Sequence, residues 1–151
     1  MKHSLSVLAL TLGLAVGSAS GSAMAQDKAA SAKQDVTPKV VYHINDAETQ
    51  ALAALRNMRN QLDTAPNTQI VAIAHADGIE FLETDYKDAK TVGPLIAGLA
   101  ARGVHFEVCE ITMSRKKQTP DDFVMEAEFV PSGVVRLTEL QQQEGYAYIK
   151  P

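Results

Sequence analysis

Two short runs of this chain, Lys39-Val40-Val41-Tyr42-His43-Ile44 and Gln69-Ile70-Val71-Ala72-Ile73-Ala74-His75, are dense in β-branched and apolar residues and read as strands. The second is apolar at almost every position, the pattern of a strand covered on both faces. Between them Leu52, Leu55, Met58 and Leu62 recur at helical spacing, which predicts a helix with one inward stripe. Asn45, with Glu48 beyond it, predicts a capping box for that helix, and the segment Asp63 to Asn67, with Pro66, ends it. Asp77-Gly78 reads as a turn, while Ile79 to Thr84 fits neither period. A second helix is predicted over Thr91 to Arg102, with Pro94 in its first turn and Gly103 just past its end. Val104 to Cys109 predicts a third strand, with Val104, Phe106 and Val108 inward. His105, Glu107 and Cys109 then form a polar face, which puts this strand near an edge or a subunit contact. A short helix within Ile111 to Phe123, a strand at Glu128 to Val130, a helix over Val134 to Glu144 and a strand at Tyr146 to Ile149 complete the reading. Alternation of this kind predicts an α/β fold: a three-layer sandwich with a mostly parallel sheet of about five strands and helices on both faces. No internal repeat is visible.

The N-terminus predicts the compartment. Lys2 and His3 precede an apolar run from Leu5 to Val16, and small residues lead to Ala23-Met24-Ala25, an A-x-A cleavage pattern before Gln26. That is the layout of a secretory signal peptide over residues 1–25. The run is about a dozen residues, short of the roughly 20 a spanning helix needs, so no stable membrane insertion is expected. Residues 26–38 are rich in Ala, Lys, Ser, Gln and Asp and read as a flexible leader, followed by one domain over 39–151. The expected location is the periplasm.

With a formal net charge of −4 and no basic run beyond Arg115-Lys116-Lys117, the chain lacks the electrostatic footprint of a nucleic-acid binder. The first strand-to-helix connection lacks G-x-G-x-x-G, and no G-x-x-x-x-G-K-[ST] occurs, so no nucleotide cofactor is expected. The four histidines are scattered and show no metal-ligand spacing. A single cysteine, Cys109, cannot form an internal bridge in an exported chain. Its thiol is buried and inert, paired between chains, or reactive.

Open parallel sheets collect ligands beyond the carboxyl ends of their strands. His43 and Asn45 follow the first strand, His75 the second, Cys109 the third, and Ser132-Gly133 the fourth. Cys109 is the candidate nucleophile. A helix start near Thr112, with Arg115 and Lys116, would pull its thiol below the usual value of about 8.5, whereas Glu107 and Glu110 push the other way. His75 is a candidate to orient or deprotonate a reacting group, against the plainer role of bonding its loop. Asn45 and Ser132 serve as helix caps or pocket residues, and Ser132-Gly133 at a helix start suits an anion. The two tyrosines of Gln141 to Pro151 read by default as packing.

Five stretches, VVYHIND, the helix with Asn57 and Asn60, VAIAHADGIEFL, GVHFEVCEITM and FVPSGVVRLTELQQQEGYAYIKP, resemble in order the DsrE-like family of sulfur-relay proteins. The likeness runs from about Val40 to the end of the chain. It implies a compact α/β fold assembled into trimers or hexamers, and a persulfide on the cysteine at a strand end, which falls on Cys109. The function expected is then a periplasmic sulfur relay carrying sulfane sulfur on Cys109, its partners being sulfur donor and acceptor proteins or small thiols. The alternatives are a non-catalytic oligomeric module that binds a small molecule or partner, and a thiol redox sensor.

Overall fold

The computed structural model describes residues 37–151; the expected signal peptide and nearly all of the leader lie outside the described residues. The elements run β1 (Lys39–Asp46), α1 (Ala47–Thr64), β2 (Gln69–Asp77), a 3₁₀ turn (Gly78–Leu82), α2 (Ala89–Ala100), β3 (His105–Cys109), α3 (Glu110–Arg115), a 3₁₀ turn (Pro120–Asp122), β4 (Ala127–Val130), α4 (Gly133–Gln142) and β5 (Ala147–Ile149). The five strands form one sheet in the order β4-β3-β2-β1-β5, with every pair parallel.

Steps from β1 through β4 all run the same way across the sheet, whereas β5 returns to the far side of β1. A right-handed crossover puts the connecting helix on one face for the forward steps and on the other for the return. The side chains agree. Val40, Tyr42, Ile44, Ile70, Ala72, Ala74, Phe106 and Val108 pack with α1, α2 and the first 3₁₀ turn. Val41, Val71 and Ile73 pack with Leu137 and Leu140 of α4. The larger core therefore lies under α1 and α2, and the thinner one under α4 alone.

Four local expectations change. The cap of α1 is Asp46, whose carboxylate accepts from the Thr49 amide at 3.0 Å; Asn45 stays in β1, which runs one turn of pleat further than its apolar residues suggest. Pro94 sits in the second turn of α2, since the helix starts at Ala89, and the carbonyl it leaves unpaired belongs to exposed Lys90. The stretch Ile79 to Thr84 begins as a 3₁₀ turn, with Ile79, Phe81 and Leu82 all buried, which explains why it matches neither strand nor helix period. The polar face of β3 is covered at two of its three positions: Glu107 is 6% exposed and Cys109 5%, because α4 lies over them and β4 flanks β3 on the outside, while His105 stays exposed. A charge there is tolerable because Arg136 of α4 reaches Glu107 at 3.1 Å.

Gly78 is fixed by space. A Cβ there would stand 2.2 Å from the Ile44 carbonyl oxygen, so the turn after β2 can press against β1 only with glycine. Gly103, at φ +87°, ends the α2 region in the conformation that favours glycine.

Candidate functional site: a thiol at the carboxyl edge of the sheet

β3 ends at Cys109 and α3 begins at the next residue, so the thiol stands where a strand hands over to a helix. Gly133, the first residue of α4, packs against it from the other face; a Cβ on Gly133 would lie 3.3 Å from the Cys109 Cβ and 3.4 Å from the His75 Cβ. The absence of a side chain at 133 lets the helix start approach the sulfur. Burial pushes the Cys109 thiol up, but the amides of Gly133, Thr112 and Ile111 and the Thr112 hydroxyl all address the sulfur and bring the net shift down. The lowering thus comes from N–H and O–H dipoles. Lys116 is turned to other partners, Glu80 at 2.6 Å and Asp77 at 3.0 Å. Glu107, expected to oppose ionisation, points at Arg136 instead.

Cys109 lines a pocket of about 200 Å³ with His75, Ile111, Thr112, Arg115, Ser132 and Val134. The pocket wall holds one cation and no carboxylate. The backbone beside it is strained: Ala76 sits at φ +50°, and its amide donates to the Thr112 hydroxyl at 3.2 Å. A larger cleft elsewhere is lined by Glu48, Glu80, Glu83 and Asp85 with Lys87, and contains no nucleophile.

Next to the pocket, the imidazoles of His43 and His75 meet edge to edge with centroids 4.8 Å apart and planes inclined by 25°, their Nε2 atoms 2.6 Å from one another. His43 Nδ1 lies 2.7 Å from the Tyr148 hydroxyl. Lys150 donates to the His43 carbonyl at 3.1 Å, to Gln50 at 3.0 Å and to the Asn45 side-chain oxygen. Burial, the Lys150 ammonium and His75 hold His43 down at about 4; burial and Lys150 lower His75 as well. Both rings are neutral at physiological pH.

Of the residues singled out in the sequence, Cys109, His75 and Ser132 line one pocket, and Gly133 packs against Cys109 and His75. Ser132 occupies the N-cap position of α4 through its backbone only, with no capping bond from its hydroxyl. Asn45 stands outside the pocket, tied to Lys150 and Gln50. Thr112, noted from sequence as a helix cap, instead serves the sulfur. Tyr148 and Lys150 join the site although no local pattern marks them as site residues. Alternation with Ala147 and Ile149 places Tyr148 on a terminal strand, but the pairing with β1 that carries it to His43 is a long-range fact.

A family model described as the DsrE/DsrF-like family matches residues 18–151. No curated protein matches the chain. Among solved structures, the chain is similar to one from Methanobacterium thermoautotrophicum, described as the protein of unknown function MTH1491. The two are 29% identical, the match covers 76% of this chain and 99% of that one, and the TM-score is 0.69.

Proposed function

We propose, from the premise that this chain belongs to the DsrE/DsrF-like family, that it is an exported sulfur-relay protein that carries sulfane sulfur as a persulfide on Cys109. The family ties the fold to sulfur relay; the cargo, the carrier atom and the periplasmic setting are the further reading. The observation that carries it is the ring of donors around the Cys109 sulfur, which favours thiolate in a pocket large enough for a small sulfur donor. In loading, the thiolate attacks the outer sulfur of a donor persulfide, R–S–SH. A Cys109–sulfur bond forms, the donor's S–S bond breaks, and R–S⁻ leaves with the electron pair. Unloading to an acceptor thiol is the same exchange in the other direction.

The A-x-A pattern before Gln26 supports export, and the family supports a trimer or hexamer, with exposed Val135 of α4 as apolar contact surface. Donors and acceptors are other proteins or small thiols. One observation favours the rival module: Cys109 is only 5% exposed, so a packing role without chemistry has a physical basis.

Intact mass after exposure to inorganic polysulfide separates the readings. The relay gains whole sulfur masses at Cys109, and Cys109→Ser gains none. A native thiol that neither takes up sulfur nor reacts with small alkylating agents identifies the module, and uptake of oxygen or a disulfide dimer under mild peroxide identifies a sensor. For export, the mature protein should begin at Gln26 in the periplasmic fraction.

A further inference from the structure

β5, β1, β2 and β3 bring Tyr148, His43, His75 and Cys109 to the carboxyl edge of the sheet, on the same face as α4 and beyond its first residue. Two imidazole nitrogens 2.6 Å apart are hydrogen-bonded through one proton. With both rings neutral, only two arrangements satisfy the chain. In one, His75 Nε2–H donates to His43, His43 Nδ1–H donates to the Tyr148 oxygen, and His75 Nδ1 is a free base. In the other, Tyr148 donates to His43 Nδ1, His43 Nε2–H donates to His75, and His75 Nδ1–H is an acid. Moving each proton one bond converts the first arrangement into the second without leaving net charge on either ring.

We propose that His75, His43 and Tyr148 form a proton wire that carries the proton of sulfur transfer between the Cys109 pocket and open water. The inference rests on the persulfide reading and assigns three residues to it: His75 as the group that meets the reacting thiol, His43 and Tyr148 as the residues that position and discharge it. In unloading, an acceptor R–SH gives its proton to His75 Nδ1. His75 passes its Nε2 proton to His43, His43 passes its Nδ1 proton to Tyr148, and the tyrosine releases its own hydroxyl proton to solvent. R–S⁻ then attacks the outer sulfur of Cys109–S–SH, and the S–S bond breaks toward Cys109. The products are R–S–SH and the Cys109 thiolate. Because Cys109 leaves as thiolate, the acceptor's proton has no resting place in the pocket and must travel.

The geometry gives it a route that a docked acceptor leaves open. The pocket mouth is rimmed by Ile111 and Val134, 46% and 57% exposed, which a partner would cover. Tyr148 lies on β5, beyond β1, and is 44% exposed. The charged groups facing the pair are Lys150 after β5, Asp46 at the end of β1 and Arg115 on α3; Arg136 of α4 is engaged by Glu107 and Glu144. Lys150, the nearest, opposes a second proton on the rings and opposes a metal cation between them.

The full mature protein, loaded with inorganic polysulfide, is mixed with 2-mercaptoethanol, and loss of the sulfur mass is timed across pH. His43→Phe and Tyr148→Phe, each brought to the same measured sulfur load as the parent, should unload about 10-fold more slowly, as expected for a lost proton-transfer path. The gap should close as the probe thiol ionises by itself, and added imidazole should restore His43→Phe. Parental unloading rates at every pH in both variants overturn the wire. If the parent takes up no sulfur, the persulfide reading fails separately, and ¹⁵N spectra of the imidazoles decide the wire. It predicts two neutral rings sharing one proton at neutral pH; two rings titrating independently near the ordinary histidine value overturn it.

Discussion

At the residue scale, the chemistry of Cys109 is set by groups that carry no formal charge. The Thr112 hydroxyl is the one donor to the sulfur that a side-chain substitution removes, along with the acceptor of the Ala76 amide. Thr112→Val should therefore raise the thiol's ionisation midpoint by about one pH unit, as befits the loss of one hydrogen bond to an anion. The pH dependence of alkylation by iodoacetamide reads this directly, and Thr112→Ser should restore the parental midpoint. The sign for stability follows. A thiol whose folded pKa lies below its unfolded value adds stability as the pH rises through the folded midpoint, and that gain is complete above the unfolded one. The parent should thus gain on Cys109→Ser with rising pH in urea titrations, and an advantage that stays constant with pH would contradict the lowered thiol. Gly133 poses the complementary test. Gly133→Ala places a Cβ 3.2 Å from Ile73 Cγ2 and 3.3 Å from the Cys109 Cβ, forcing the start of α4 away from the sulfur. The expected cost is about 1 kcal/mol of stability, in the range for overpacking, together with a higher thiol midpoint. Of these residues the sequence singled out Cys109 and Gly133 by position. It left the direction of the thiol's shift open, because two of the charges weighed for it, Glu107 and Lys116, are spent on other partners in space.

At the scale of elements, β3 and α4 show where pattern reading succeeds and where it stops. Alternation along Val104 to Cys109 places Phe106 and Val108 in the main core, as period two requires. The same alternation treats Glu107 as outward, and nothing local reveals that α4 closes over it with Arg136 aimed at its carboxylate. Burial pushes the Glu107 carboxyl up, and the Arg136 hydrogen bond and charge pull it back without cancelling the rise. Removing the guanidinium leaves a buried carboxylate uncompensated, so Arg136→Met should cost on the order of 3 kcal/mol at neutral pH. A carboxyl with a raised folded pKa favours the protonated native state. The deficit of Arg136→Met relative to the parent should therefore shrink as the pH falls through the Glu107 midpoint, which chemical denaturation at a series of pH values will register. A deficit that persists unchanged in acid would mean that lost packing of the arginine stem, and not the stranded charge, explains the cost. The capping misassignment has a similar origin: Asn45 and Asp46 are adjacent capping types, and the choice between them depends on how far β1 stays paired with β2, which reaches Asp46 opposite Asp77.

For the molecule as a whole, the order of strands and helices was legible because each β-branched run and each helical stripe is a local signal, and handedness then leaves few ways to join them. The return crossing was the part hidden from local reading. β5 has only three residues, yet it pairs with β1 and delivers Tyr148 and Lys150 to His43, more than a hundred positions earlier in the chain. The acid response of the fold follows from that closure. His43 is held at about 4 and His75 is lowered, in both cases first by burial and then by Lys150. A histidine depressed in the folded state binds its proton more readily when unfolded, so stability should fall as the pH drops from the ordinary histidine range toward 4. Lys150→Met keeps the strand and its pairing but removes the ammonium beside the rings. The two histidines should then titrate closer to their ordinary value, and the decline in urea midpoint between about pH 6.5 and 4 should become shallower. A parental slope in that variant would assign the depression to burial alone and remove the chain's last turn from the electrostatics of the site.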